Sequence, residues 1–309
     1  MRRRSAVRNR LEYAAVVCAL ATLEYAPRGV AEGLARLYSR LLDLAIPRLR
    51  RVARRNLTLA FPQMDEAGRE GIIDGVFRSI ARIFLSFARF PRIRRDTVDQ
   101  WIRCEGMEHF TAARARGRGV LFATAHLGNW ELSAFAHALI AGPMHVVVRP
   151  LDNPLLDALV RRRRSLSGNR VIAKRDFART IFKALTLNEA VGLLIDQNAA
   201  VEEGEFVNFF GVPASAGTGF ARIAARSGAT VIPGFALWEE TEGRYVLRFY
   251  PPVELSGDAV RDTQALQSQL ETVIRQYPDQ WLWIHRRWKT RPPGEAPLYA
   301  TTREAPHAL

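Results

Sequence analysis

Residues 125–131, Ala125-His126-Leu127-Gly128-Asn129-Trp130-Glu131, place a histidine and a carboxylate with four residues between them, on either side of a glycine. If a strand ends at His126 and a helix begins near Asn129, the Leu127-Gly128 turn folds Glu131 back toward the imidazole. A carboxylate that accepts from one ring nitrogen fixes the tautomer and leaves the other nitrogen to take a proton. The chemistry would be general-base catalysis by a His-Glu dyad. A plainer arrangement fits the same spacing: His126 closes a strand end and Glu131 suits the positive end of a helix.

Other groups that could act on a substrate stand at comparable places. Arg149 follows the apolar run HVVV and precedes Pro150, which imposes an extended backbone and sends the side chain out at a strand's carboxyl end. Asp152 and Asp157 are alternative ion-pair partners for it. Arg164 ends the run Arg161-Arg162-Arg163-Arg164, and four consecutive helical residues spread over ~300°, so the run cannot face one ligand. Asp196 ends the apolar run VGLLID, where it could order an arginine, contact a sugar hydroxyl or cap the next turn. Cys18 and Cys104 are the two cysteines; they read as reduced thiols and supply neither a zinc site nor a disulfide framework.

The elements that must position these residues alternate. Short apolar runs at 120–125, 145–149, 191–196, 230–237 and 244–250 read as strands, with helical stretches at 129–140, 153–166, 176–187 and 217–226 between most of them. The pattern predicts an α/β fold, a mostly parallel or mixed central sheet flanked by helices, with ligands gathered at the strands' carboxyl ends. Two amphipathic helices are expected upstream, one over 52–61 stopping at Pro62 and one over 65–90 stopping at Pro91.

With 309 residues and 48% hydrophobic content the chain can bury a large core. Its net charge is +14, from 45 basic and 31 acidic residues. Lys174, Lys183 and Lys289 are the only lysines, so the other 42 basic residues are arginines, and such a chain seeks anions. Residues 1–55 carry 13 arginines against Glu12, Glu24, Glu32 and Asp43, a local +9. Within them 13–23 is an 11-residue apolar run, too short to span a bilayer upright. It reads as a tilted anchor or interfacial helix held at the cytoplasmic face, with a cleaved signal or a core helix as alternatives.

HLGNWE resembles the H-x4-D/E motif of the lysophospholipid acyltransferase superfamily, in the glutamate variant of the lipid A late acyltransferases (lauroyl and myristoyl transferases). RRNLTLAFP at 54–62, RPLDNPLLD at 149–157, LIDQN at 194–198, FFGVPASAGTGFARIAARSGATVIPGF at 209–235 and WIHRRWKTRP at 283–292 agree with that family. The resemblance spans residues 10–292. It implies a glycerolipid acyltransferase-like fold with an N-terminal membrane-associating extension at 1–62, an acyltransferase domain at 63–292 and a tail at 293–309. It also implies that His126 deprotonates an acceptor hydroxyl, that Glu131 orients it, and that Arg149, Arg164 and Asp196 bind substrate.

No cofactor or metal is implied beyond acyl carrier protein thioester or acyl-CoA as co-substrate. The implied partners are acyl carrier protein, a membrane lipid acceptor, most simply a lipid A precursor, and the inner membrane surface. The segment FVNFFGVPASAGTG at 206–219 could line an acyl groove or pack the core, and Trp281, Trp283 and Trp288 could face lipid headgroups or pack beneath a basic rim. Competing functions are acylation of another lysophospholipid or glycolipid, a noncatalytic membrane scaffold, and nucleic-acid binding; for the last, no standard motif is present, so no nucleic acid is expected.

Overall fold

The computed structural model describes residues 5–173 and 177–299. The arginines at 2–4, the first residue of the helix expected over 176–187 and the end of the tail lie outside them. Prolines punctuate the N-terminal quarter. α1 (Ala6–Tyr25) stops before Pro27, α2 (Arg28–Ala45) before Pro47, and α3 (Arg48–Ala60) before Pro62, each ring ending one helix or opening the next. α4 (Glu66–Arg89) is capped by Asp65, whose carboxylate accepts from Gly68 N at 2.8 Å.

The remaining elements alternate as the apolar periods require: β1 (Ile102–Glu105), α5 (Met107–Ala115), β2 (Val120–Thr124), α6 (Trp130–Ile140), β3 (Met144–Val148), α7 (Pro154–Arg164), β4 (Arg170–Ala173), α8 (Phe177–Thr186) and β5 (Ala190–Leu194). A hairpin of β6 (Gly204–Phe209) and β7 (Val212–Gly217) follows, then α9 (Gly219–Ser227), β8 (Thr230–Glu239), β9 (Arg244–Phe249) and α10 (Ala259–Gln276).

Seven strands form one sheet in the order β1-β9-β8-β2-β5-β3-β4. β8, β2, β5, β3 and β4 run parallel, whereas β9 is antiparallel to β8 and β1 follows β9. Strands apolar on both faces suit a sheet covered on both sides. On β2, Val120 and Phe122 join the layer containing Phe110 and Phe135, while Leu121 and Ala123 join the layer containing Ile181, Phe220 and Leu266, as the two-residue strand period demands. β5 enters between β2 and β3, so the strand ends of β2 and β5 meet side by side.

The segment 206–219 is this hairpin and not a groove wall. Its turn is Phe210-Gly211, both at positive φ, and Phe209 and Phe210 pack in the core with Trp281 and Trp283. Burial of large aromatic faces wins over exposure to a ligand at this position. Among the described residues no helix is long and apolar enough to cross a membrane. α1 instead packs on α2 and α4 through Leu20 and Leu23.

Candidate active site

Thr124 and Leu194 are in register across the parallel β2–β5 pair. Two residues beyond each stand His126 and Asp196, so both side chains leave the same side of the sheet at its carboxyl edge. Ile195 N donates to Thr124 O at 2.9 Å and continues the pairing past the strand ends. Asp196 then binds His126 twice: its Oδ2 accepts from the His126 backbone N at 2.9 Å and its Oδ1 lies 2.9 Å from Nδ1. Trp281 Nε1 donates to Oδ2 at 2.9 Å.

The loop that carries the histidine is fixed from behind. Leu282 N donates to His126 O at 2.9 Å, Gly128 N to Gln280 O at 2.9 Å, and Asn129 N to Ala236 O at 2.8 Å. Gly128 has φ +61°, and a Cβ there would collide with the Ala236 carbonyl oxygen. Only glycine tolerates both demands. The Asn129 side chain accepts from Leu132 N at 3.0 Å and opens α6.

The partner of the imidazole is therefore Asp196, where the H-x4-E spacing alone suggests Glu131. Glu131 is held by Arg164: Nε donates to Oε2 at 2.9 Å and Nη2 to Oε1 at 2.5 Å. This bidentate pair uses both carboxylate oxygens. The reason is positional, since Glu131 lies in the first turn of α6 and faces α7, whose last residue is Arg164. Trp130, next to Glu131 in the chain, sets its ring 4.9 Å from that of His126.

The other arginines of the run diverge as helical geometry requires. Arg163 Nη2 donates to Glu24 at 2.8 Å and Nη1 to Ala88 O at 2.6 Å, tying α7 to α1 and α4, and Arg161 lies 3.9 Å from Asp157. Arg149 meets neither pair. It is exposed, and it forms an ion pair with neither Asp152 nor Asp157; Asp157 Oδ1 instead accepts from Leu151 N at 2.9 Å. Continuing the β3–β5 register, in which Val146 faces Gly192, sets Arg149 level with Ile195 and out of phase with Asp196.

Asp196 is fully buried. Burial opposes its charge, yet the imidazole, the neighbouring His285 and the indole N–H outweigh it and hold the carboxyl below the usual carboxylate range. For His126 burial also opposes protonation, and the Asp196 carboxylate, with Glu131 acting through space, raises its pKa above the ordinary histidine value. Nε2 of His126 has no hydrogen bond among the described residues, and the side chain keeps 15% exposure. A base with one nitrogen pinned and the other reachable is the result.

The C-terminal block lies beneath this site. Trp281, Trp283 and Trp288 are each 0% exposed, which places them in the core rather than at a lipid surface. Arg287, also fully buried, donates from Nη1 to Ser215 O at 2.6 Å and from Nη2 to Gln267 Oε1 at 3.1 Å; burial lowers its pKa to about 10. His285, 5.6 Å ring to ring from Trp281, has its pKa lowered by burial to about 4 and is neutral near pH 7. Sequence reasoning set Asp196 at a substrate; the signal for its partner was the matching pair of apolar runs, each ended by a polar group.

Beside the site a cavity runs between the sheet and α6. Trp130, Glu131 and Arg164 line it near His126, and Phe122, Met144 and Gly192 line it toward the sheet. It is predominantly apolar, with the Glu131–Arg164 ion pair among its lining residues.

The model of the family described as bacterial lipid A biosynthesis acyltransferase matches residues 2–290 of this chain. A lipid A biosynthesis palmitoleoyltransferase of Escherichia coli is 32% identical over 270 residues, 85% of this chain and 87% of that protein. A lipid A biosynthesis lauroyltransferase of the same organism is 32% identical over 274 residues, 86% of each chain. A lipid A biosynthesis acyltransferase of Haemophilus influenzae is 27% identical over 245 residues, 79% of this chain and 76% of its own.

Proposed function

We propose that this chain, which belongs to the bacterial lipid A biosynthesis acyltransferase family, acylates a hydroxyl of a lipid A precursor from an acyl carrier protein thioester, with His126 as the general base. The observation that carries the reading is the His126–Asp196 hydrogen bond at the carboxyl ends of β2 and β5. Asp196 keeps Nδ1 protonated, so Nε2 accepts the acceptor's proton. The hydroxyl oxygen then attacks the thioester carbon, the tetrahedral intermediate collapses, and the thiolate leaves and takes the proton back from the imidazolium. A positioned base contributes about 10²- to 10⁴-fold.

In this reading Glu131 and Arg164 fix Trp130 and the first turn of α6 around the reacting carbonyl, and the Glu131 charge stabilises the imidazolium. The apolar cavity between α6 and the sheet receives the acyl chain, each buried methylene contributing about 0.8 kcal/mol. Arg149, exposed just past β3 and without an ion pair among the described residues, contacts an anionic group of the acceptor.

The chain meets the inner membrane from its cytoplasmic face, through α2. Val30, Leu37, Leu41 and Leu44 recur at helical spacing on one face and are each about half exposed or more, at 56, 49, 52 and 66%. Exposed Arg40 borders that stripe, an arrangement suited to anionic headgroups.

The test is an assay of the purified full-length chain with acyl carrier protein thioesters or acyl-CoA, and with a lipid A precursor or a lysophospholipid as acceptor. The expected product is the lipid A precursor heavier by one acyl chain. Transfer to the lysophospholipid alone would reassign the acceptor, and absence of transfer with every pair would sink the reading.

A further inference from the structure

A second cavity opens between α2, α4 and the adjoining ends of β8 and β9, at the same end of the sheet as His126. Asn129 and Ser86 form part of the wall between the two regions: Asn129 Nδ2 donates to Ser86 Oγ at 2.8 Å, and Ser86 lines the second cavity. Five arginines line this space, from α2 Arg28 and Arg36, from α4 Arg78 and Arg82, and from β9 Arg244. Its two lining carboxylates are already engaged, Glu32 by Arg28 at 3.0 Å and Glu240 by Arg82 at 2.5 Å. Arg36 and Arg78 form no ion pair among the described residues, so the cavity keeps uncompensated positive charge.

Two further features make this more than a basic surface. Tyr245 is 2% exposed, and among the described residues its buried hydroxyl proton has no acceptor. The Asn129 amide, which gives one N–H to Ser86 and accepts from Leu132 N, turns its second N–H toward the hydroxyl oxygen, so the O–H proton itself still has no acceptor. A buried O–H without an acceptor is costly, and an oxygen acceptor in the cavity would relieve that cost. The rings of Trp101 and Trp238 line the same space, and the Arg82 guanidinium sits over Trp238 at 4.3 Å.

We propose that this cavity binds a phosphate monoester, separately from the His126 chemistry. Arg36 and Arg78 supply planar forks matched to phosphate oxygens, the Tyr245 hydroxyl donates to another, and the indole faces cover the body that carries the phosphate. A soluble sugar phosphate and a phospholipid headgroup share this chemistry. Binding is read without turnover, so its failure and failure of the acyl-transfer reading are separate results.

The test titrates the full-length chain with inorganic phosphate and glucose 1-phosphate against glucose, and with phosphatidylcholine vesicles with and without phosphatidic acid, following tryptophan fluorescence and co-sedimentation. Saturable binding of the phosphates, or of the phosphatidic acid vesicles, is expected, and glucose should be inert. Arg36→Ala with Arg78→Ala should weaken that binding about tenfold or more, since each removes a charge-assisted contact. Tyr245→Phe should weaken it severalfold. Arg222→Ala, an exposed charge on α9 across the sheet, should leave it unchanged. Loss through Arg36 and Arg78 on vesicles alone identifies a lipid headgroup as the source; on soluble phosphates as well, a phosphate independent of the bilayer. Unchanged binding in the double variant, equal loss in Arg222→Ala, or no binding of any phosphate probe overturns the site.

Discussion

Asp196 Oδ1 lies 2.9 Å from His126 Nδ1 although 70 residues separate them in the chain. The relation is made by two parallel strands in register, and it pins the strand-end imidazole at Nδ1 while Nε2 keeps no hydrogen bond among the described residues.

Asp196→Asn should therefore lower turnover by about 10²- to 10⁴-fold, the range that a general base contributes. The pH profile gives a second readout. Asp196 raises the His126 pKa, so wild-type activity rises with pH as that raised group loses its proton. In the variant the acid limb should move to lower pH while the plateau falls. A wild-type plateau with an unmoved limb would remove Asp196 from the mechanism.

Glu131 and Arg164 should behave as one unit. Their side chains are only 12% and 23% exposed, and removing either strands a partly buried charge at a cost of roughly 1–3 kcal/mol. Glu131→Ala and Arg164→Ala should give similar losses of activity and melting temperature, and the double variant should be little worse than either. If Glu131→Ala instead followed His126→Ala in its pH dependence and Arg164→Ala did not, Glu131 would be a direct partner of the base.

Gly192 offers a test of the cavity. A Cβ there would approach Met144 Cε at 2.7 Å, a flexible side-chain end inside the space assigned to the acyl chain. Gly192→Val should shift donor preference toward shorter chains, each methylene lost from the cavity being worth about 0.8 kcal/mol. Competition between donors of different length measures it; a uniform loss for all lengths would place the acyl chain elsewhere.

Leu37→Glu combined with Leu41→Glu should reduce co-sedimentation with anionic vesicles while leaving the melting temperature nearly unchanged, because both side chains are about half exposed. A leucine withdrawn from an apolar environment costs about 1.5–3 kcal/mol. Unaltered sedimentation of this variant would reject α2 as the contact.

His137 bears on stability. Its ring sits 4.9 Å from Phe110 and 5.2 Å from Phe122; the Gly142 backbone faces it, but among the described residues neither nitrogen completes a hydrogen bond. Burial lowers its pKa to about 4. The unfolded chain takes up this proton near pH 6.5, before the folded chain does, so stability is full above that pH and is lost as pH falls toward 4, by a few kcal/mol. His137→Phe should raise the melting temperature more at pH 5 than at pH 7. Equal shifts at both values would mean that the ring charges freely in the folded state.

The sequence by itself determined the alternation of strands and helices, the proline stops at 62 and 91, and the placing of His126, Arg149 and Asp196 at strand ends. These follow from local apolar period and backbone chemistry, which neighbours in the chain carry. The fan of Arg161 to Arg164 was equally legible, because helical geometry is local. Which group faces which was decided only by the tertiary structure. His126 meets Asp196 because β5 inserts beside β2, and Glu131 meets Arg164 because α6 lies against α7. Trp281, Trp283 and Trp288 are buried because the C-terminal segment passes beneath the loop that carries His126. Strand order and helix packing are set by burial across long separations, and no spacing within one segment encodes them.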